Sequence, residues 1–482
     1  MRKLPLLTCL LAVTMVLSGC SSIMAPRFKL PQFSSTSTST PALPFISPTV
    51  VGSWQTVSPS MAFAGTGWMQ TYPLPRLPEL LRQAQAENPT LQAVAARVQQ
   101  ARAVAGLALA AQLPAISASG NATRGRLAPS QANRPAGTNM AVTNSFGGGL
   151  NASFELDLFG RLAGESKASR LQALSTESLQ ADAQLLIGTE VARTYAALLA
   201  ATEVESQWVA IMAAEEQRLA ILTARYQAGE LNVATWQSAA AALQQQRSLA
   251  LAAAASTRQL HHALSILLGQ PPQQQQLTSQ DLASLANIPP APAAEISATV
   301  LLNRPDVRAA ALQLEAANQR IGAARAAFLP RVNLNAFGGF VSPVWGDVFE
   351  WNNRSWSTGP VVTLPIFQGG AILNNLRANW AEYEAQVALY KNTVLGAMAD
   401  AADARVSLTA TANQATSAQQ AAQAMNTALA ATQARYVAGD VGRYEMLTSQ
   451  IAAAQAAIAA AQAQAGWHAQ ALRFIQSIGG AN

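Results

Sequence analysis

The sequence predicts a mainly α-helical fold with a small β part, built from two similar halves. Two observations support this prediction. The phrase ARYQAGE at 224–230 returns as ARYVAGD at 434–440, and Ala, Gln, Leu and Arg dominate the long stretches around both copies. These residue types are strong helix formers, and self-similarity at a fixed period indicates an internal repeat. We therefore expect one structural plan that occurs twice within the 482 residues.

The N-terminus has the pattern of a secretion signal. MRKLPLLTCLLAVTMVLSGCSS has a basic start, a short apolar run and small residues at its exit. The exit LSGC at 17–20 resembles the lipobox of bacterial lipoproteins, which predicts a diacylglycerol on the Cys20 thiol. Ser21 at the next position implies sorting to the outer membrane in that class of proteins. The alternative is an ordinary secretory signal with a coincidental cysteine.

The stretch after Cys20 is of low complexity. FSSTSTSTPALPFISPT consists mainly of Ser, Thr and Pro, a composition that does not bury a core. We interpret 1–19 as the signal peptide and 20–75 as a lipidated N-terminal tether. The second of the two cysteines, Cys9, lies in the signal, so we expect no disulfide within the mature chain.

Three blocks define the repeat, and they recur in the same order at a nearly constant spacing of about 210 residues. The first block is a helical stretch in which Pro89, Gly106 and Leu113-Pro114 correspond to Pro305, Gly322 and Leu329-Pro330. In the second, LDLFGR at 156–161 corresponds to LPIFQG at 364–369, and the third is the ARYxAG pair. These correspondences predict a first repeat over 76–285 and a second over 286–482.

In each half the sequence predicts a helix, two strands and a pair of long helices, in this order. A helix with a proline near its start ends at the Leu-Pro pair, because proline does not continue a helix. The long helices meet at ARYxAG, where Gly229 and Gly439 are suited to a left-handed C-terminal cap. These residues are therefore predicted to mark the tips of two helical hairpins. The expected helices are, in the two halves, 77–112 and 296–328, 160–227 and 370–437, and 231–268 and 441–478.

Four strands are predicted, about 115–126, 150–159, 331–341 and 356–367. LNASFELDLF at 150–159 alternates apolar and polar residues, which suits a wall between lipid and water. Four strands do not close a membrane barrel, so either they form a soluble sheet or several chains contribute to one barrel. Between the last two strands lies an aromatic group that indicates either an interfacial belt or a cluster packed under a loop. Its members are Trp345, Phe349, Trp351 and Trp356.

Composition argues against several classes of function. The formal charge of +6 is mild for this length and only 12% of residues are charged, so nucleic-acid binding has little support. The sequence shows no metal-ligand cluster and no cofactor motif. We therefore expect that the protein binds no cofactor and is not an enzyme. The adjacent pair His261-His262 is the one catalytic suggestion, and neighbours in sequence do not share a helix face. We interpret both as polar residues of a helix surface.

Taken together, these features resemble the TolC-like outer-membrane efflux proteins, and the lipobox places the resemblance in their lipoprotein branch, the NodT family. The lipobox, the doubled plan, the Leu-Pro pairs, ELDLFGR and the ARYxAG tips carry the resemblance, which covers nearly the whole chain from about residue 75. The resemblance implies a homotrimer, a 12-stranded transmembrane β-barrel and a periplasmic α-helical barrel. It also implies a role as the outer-membrane channel of a tripartite efflux pump that exports drugs or toxic compounds.

The same resemblance implies partners and a periplasmic gate. The partners are a periplasmic adaptor protein, an inner-membrane pump of the RND type and outer-membrane lipid. Two acidic positions of the family's gate fall on Glu445 and Thr448, so one carboxylate of the pair is replaced. Three Glu445 side chains near one axis would still attract cations. Tyr436 matches the family's linking tyrosine, and Arg443 stands two residues beyond the position of its linking arginine.

Two alternatives remain at the level of sequence. The first is the exit duct of a type I protein-secretion system, which has the same architecture. The second is a lipid-anchored structural coiled-coil protein, against which the two-fold repeat and the alternating strands argue.

Overall fold

A computed structural model describes residues 67–130, 133, 135, 137, 139–287 and 301–480. All described residues belong to one unit, which spans 57–292 and 300–482. The signal peptide, Cys20 and most of the predicted tether lie outside the described residues. The last part of that tether, residues 67–74, packs into the main hydrophobic core, so the folded body begins before residue 76.

The described part of the first half contains six helices and two strands. It starts with one short turn of helix, and the two longest helices form the first hairpin. In chain order the elements are α1 (Trp68–Thr71), α2 (Leu77–Glu87), α3 (Pro89–Ala110), β1 (Ala115–Gly125), β2 (Thr143–Leu156), α4 (Arg161–Gln227), α5 (Val233–Leu267) and α6 (Ser279–Ser284).

The described part of the second half repeats this plan. Two short 3₁₀ turns lie between its strands, and its two longest helices form the second hairpin. The elements are α7 (Pro305–Ala326), β3 (Arg331–Ser342), β4 (Arg354–Thr363), α8 (Ala371–Val437) and α9 (Arg443–Ser477). The predicted ends of all four hairpin helices differ from these bounds by at most a few residues.

The predicted helix 77–112 is wrong, because two helices, α2 and α3, occupy this stretch. Asn88 between them is extended, with ψ 120°, as the residue before a proline prefers. Its side chain then caps α3 by accepting hydrogen bonds from the backbone N–H groups of Thr90 (2.9 Å) and Leu91 (3.2 Å). Pro89 follows at the first helical position, where its missing N–H costs nothing.

Both α4 and α8 contain 67 residues, a length of about 100 Å at 1.5 Å per residue. Their partner helices contain 35 residues each. In the part of the chain that the structure describes, no helix combines the length and the apolar character needed to cross a bilayer.

The buried faces of the second hairpin consist of rows of apolar residues at heptad spacing. Along α8, the buried row Ala401, Leu408, Ala415 and Ala422 recurs every seven residues. Along α9, the buried residues recur at alternating spacings of four and three, a coiled-coil pattern that presents a continuous seam to a neighbouring helix. They are Leu447, Ile451, Ala454, Ile458 and Ala461, all within the core cluster shared with α4. Helix α9 therefore lies between α8 and α4.

The four strands form one antiparallel sheet in the order β1-β2-β3-β4. Strand β2 begins at Thr143, earlier than predicted, because its glycine-rich start pairs with β1 and β3. Gly149 and Gly339 face each other, and a Cβ on Gly149 would lie 2.7 Å from the Phe337 ring. Among the described residues, the outer edges of β1 and β4 have no partner strand.

The aromatic group beside the sheet is exposed to solvent rather than packed beneath a loop. Trp345 and Trp356 are 69% and 74% exposed, and Phe349 and Trp351 are exposed to a similar degree. The ring of Trp345 contacts Phe146 of β2 edge-on, with 5.5 Å between the ring centroids. The alternative of a buried aromatic cluster is therefore wrong.

Equivalent contacts join the end of each hairpin to the start of a shorter helix. In the first half, Asn88 Nδ2 donates to the Leu267 carbonyl oxygen (2.8 Å). In the second half, Arg304 Nη1 donates to the Ser477 carbonyl oxygen (2.9 Å). Each pair satisfies a carbonyl in the last turn of a hairpin helix, which has no partner within that helix. The sequence repeat is thus also a repeat of tertiary contacts.

The two buried histidines are structural. His468 Nδ1 lies 2.9 Å from the Tyr72 hydroxyl, and its Nε2 lies 3.0 Å from the Leu285 carbonyl oxygen. His261 is buried, and its Nδ1 accepts a hydrogen bond from the Gln275 backbone N–H (3.0 Å). The surface interpretation of His261 is therefore wrong, because the chain returns over this face of α5 after the helix ends.

Acid is expected to destabilise the fold through His468. Burial lowers the pKa of this imidazole below its ordinary value, so the unfolded chain binds a proton that the folded chain excludes. Stability should therefore fall as the pH drops below about 6.5, the pKa of an unperturbed histidine. His468→Gln keeps a polar group and should reduce the pH dependence of the urea midpoint between pH 7 and pH 5. An unchanged pH dependence would contradict this assignment.

Candidate functional site

The two hairpin tips have the same backbone. Gly229 and Gly439 adopt left-handed conformations, with φ of +77° and +84°. At each tip a backbone N–H returns to the arginine carbonyl of the last turn, from Glu230 to Arg225 and from Asp440 to Arg435, both at 2.9 Å. This is the hydrogen bonding of a glycine-terminated helix, and the arginine lies where the helix dipole favours a cation.

The first tip is held by its own side chains. Tyr226 and Trp236 stack across the turn, with 5.1 Å between ring centroids and 8° between planes. Trp236 Nε1 donates to Thr223 Oγ1 (3.1 Å), which ties α5 back to α4. Asn232 caps α5 by accepting from the Thr235 backbone N–H (2.8 Å). These contacts rigidify the first tip without help from the second hairpin.

The second tip instead depends on contacts with α4. Its cap residue, Gly442, offers no side chain. Arg218 of α4 donates to the Tyr444 hydroxyl (2.8 Å), and its guanidinium lies 4.7 Å from the centre of that ring. Glu215 holds the same guanidinium at 2.9 Å. Arg443 donates to Gln217 (2.7 Å). These interhelical contacts position the start of α9 against α4.

The predicted gate residues all lie at this tip, with different contacts. Glu445, in the first turn of α9, pairs with Arg435 of α8 at 4.0 Å, and both are largely exposed. Arg443 makes the Gln217 contact. Thr448 bonds the Tyr444 carbonyl one turn back (2.8 Å). Tyr436 is 39% exposed. The structure thus brings Arg443 to α4 and Glu445 to Arg435.

Arg218 and Tyr444, which join the two hairpins by a hydrogen bond and a cation–π contact, are not among the residues predicted from the sequence. A signal was available in the differences between the repeats. At a spacing of 210, Arg218 corresponds to Ala428 and Tyr444 to Ala234. A residue pair that occurs in one half only does not serve the shared hairpin plan, so it is a candidate for contacts between the halves.

Comparisons of the sequence with known proteins find a matching family and several related efflux proteins. The family model described as "Outer membrane efflux protein" matches residues 80–270 and 296–480. The Cation efflux system protein CusC of Escherichia coli (strain K12) is 30% identical over 440 residues, which cover 91% of each chain. The Antibiotic efflux pump outer membrane protein ArpC of Pseudomonas putida is 27% identical over 398 residues, 82% of this chain and 78% of that protein.

Solved structures of similar fold also include an efflux protein of this kind. A crystal structure of CusC superimposes with a TM-score of 0.72 at 25% identity and covers 95% of this chain and all of the other. A membrane protein from Pseudomonas aeruginosa gives a TM-score of 0.73 at 26% identity, with 89% and 99% of the two chains covered. The predicted family resemblance and the mainly helical fold with four strands are confirmed.

Proposed function

The chain belongs to the outer membrane efflux protein family, and we propose that three copies form the outer-membrane channel of a tripartite efflux pump. The family consists of channels, which are not enzymes. The channel carries small toxic molecules from an inner-membrane pump of the RND type, through a periplasmic adaptor, to the exterior. The single observation that supports the trimer best is the four-stranded sheet, whose two outer edges have no partner strand within the part of the chain that the structure describes.

An open sheet edge cannot remain in lipid. Each edge presents backbone N–H and C=O groups that only another strand satisfies where water is absent. Pairing β1 of one chain with β4 of the next closes a ring, and three chains supply twelve strands. The exposed Trp345 and Trp356 then lie near the level of the lipid headgroups, where aromatic rings are favoured.

The hairpins extend this barrel into the periplasm. Helices of about 100 Å are several times longer than a bilayer's hydrocarbon core is thick, so they continue well beyond the membrane. The two repeats, 76–285 and 286–482, each supply one hairpin, and three chains supply six. A wall of this kind encloses a conduit along which a solute passes without any bond being made or broken.

The second tip is the gate in this proposal. Arg443 together with the Arg218–Tyr444 contact holds the second tip against α4, and Glu445, Thr448 and Tyr436 lie where the chain turns. The bond from Arg443 to Gln217 is exposed and can be exchanged for bonds to water at a small cost in free energy, whereas the partly buried Arg218–Tyr444 contact is the stronger restraint on the tip. Docking of the adaptor supplies the differential contact energy that shifts the hairpin toward an open position.

Conductance in planar bilayers tests the channel itself. Purified full-length protein is expected to behave as a trimer and to insert discrete ion-conducting units. A monomeric protein that leaves the bilayer resistance unchanged would contradict the proposal.

Lipidation of Cys20 is proposed as an attachment to the outer membrane in addition to the barrel. Replacing it with alanine should reduce incorporation of radiolabelled palmitate to background, because no other cysteine remains after signal cleavage. The variant should still fractionate with the outer membrane, since a closed barrel holds the protein there without acyl chains. Palmitate label on the Cys20→Ala protein would exclude this site.

A further inference from the structure

The periplasmic part of the second hairpin contains no formal charge over long distances. From 406 to 434 in α8 there is no Asp, Glu, Lys, Arg or His. From 446 to 472 in α9 the single titratable group is the buried His468. Within 406–434 the exposed polar side chains are hydroxyls and amides, which include Thr409, Gln414, Thr416, Gln420, Gln423 and Gln433. Whichever side of these helices faces the lumen, it contributes no charge.

The equivalent part of the first hairpin carries charges that largely cancel. Residues 196–262 hold five acids and four arginines. Glu215 is paired with Arg218 at 2.9 Å, and Glu216 is paired with Arg247 at 3.4 Å. The net contribution is close to zero per chain, so no strong negative field is expected along this half of the conduit.

The negative charge of Glu445 at the second tip is also balanced by a nearby positive charge. Each Glu445 brings Arg435 with it at 4.0 Å, and Asp440 and Arg443 add one further charge of each sign. An exposed pair of this kind contributes little to stability. It nevertheless cancels the field, because both charges lie well within a Debye length of about 8 Å. Three Glu445 side chains near one axis therefore form a neutral ring and not an acidic one.

We propose that the periplasmic half of this channel is a charge-neutral conduit suited to uncharged and amphiphilic organic molecules, and that it does not select cations. The inference rests on the proposed channel function. Cation-selective pores use rings of acidic side chains, whereas amides and hydroxyls offer hydrogen bonds without a net field. Although CusC is named as a cation efflux protein, this chain is inferred to serve organic solutes.

The reversal potential of the purified channel in a KCl gradient tests this inference. The wild-type permeability ratio of potassium to chloride is expected within about two-fold of one, because the wall charges cancel. Arg435→Gln uncovers three Glu445 carboxylates and should raise this ratio several-fold. Arg473→Gln is the matched control, since it removes an exposed arginine on α9 about 40 Å from the tip and should not change the ratio.

The outcomes separate the two proposals. A conducting wild-type channel with a strong preference for potassium would overturn the neutral conduit and leave the channel function intact. Absence of any conductance would contradict the channel function, and the inference with it. Complementing a deletion strain with the wild-type gene should lower the retention of the uncharged dye N-phenylnaphthylamine. It should leave the cellular content of silver ion unchanged. Export of silver ion and not of the dye would also overturn the inference.

Discussion

Gly269→Ala is expected to destabilise the fold so strongly that most of the protein molecules do not fold. Gly269 ends α5 with φ +75°, and a Cβ there would lie 2.3 Å from the Glu87 carbonyl oxygen. That atom belongs to the backbone at the end of α2, so it cannot move aside as a side chain can. The left-handed conformation alone costs a residue other than glycine about 1 kcal/mol. Displacing α2 as well should bring the loss to about 3–5 kcal/mol.

Gly229→Ala is the matched control for this prediction. Gly229 has nearly the same conformation, φ +77°, but a Cβ there meets nothing within 4 Å. The control should show only the conformational cost, and its urea midpoint, followed by the helical circular-dichroism signal, should fall slightly. Equal losses in the two variants would mean that the close approach of Gly269 to Glu87 does not hold the end of α5 against α2.

Arg218→Ala is expected to release the second tip and open the channel. The substitution removes the hydrogen bond to the Tyr444 hydroxyl and the contact with its ring, and it leaves Glu215 without its partner. A charge-assisted hydrogen bond contributes about 1.5–3 kcal/mol, and about 1.4 kcal/mol changes an equilibrium about ten-fold. Three such bonds per trimer should therefore shift the tips strongly toward the open position. We expect a several-fold rise in bilayer conductance, and cells more susceptible to large polar antibiotics.

Two further variants test whether the Arg218–Tyr444 contact itself causes the rise in conductance. Tyr444→Phe keeps the ring under the guanidinium and removes only the hydroxyl, so its conductance should lie between wild type and Arg218→Ala. Arg247→Ala removes an exposed pair with Glu216 on the same hairpin and should leave conductance unchanged. A wild-type conductance for Arg218→Ala would show that this contact does not hold the tip.

Sequence reasoning predicted the hairpins well because their signals are local. The capping glycines, the helix-forming composition and the doubled plan each act over a few residues, and Gly229 and Gly439 lie where the pattern placed them. The break at Asn88 was also encoded locally, by the proline that follows it. The helix-forming composition continues on both sides of Pro89, and this continuity predicts one unbroken helix instead.

The remaining errors have a different physical origin. The early start of β2 at Thr143 follows from pairing with β1 and β3, since its glycines carry no alternation of their own. The contact between Arg218 and Tyr444 joins residues 226 positions apart, and no local pattern in either helix specifies it. Contacts between the two hairpins require the tertiary arrangement, which periodicity does not provide.

Efflux by intact cells shows whether the protein exports small molecules. We would measure retained ethidium in a strain that lacks this gene and in the same strain complemented with the wild-type chain. We expect deletion to raise dye retention and the wild-type gene to restore the low value. If retention is the same in both strains while the protein is expressed, small-molecule efflux is contradicted. The protein-secretion duct would then be the better explanation of this channel.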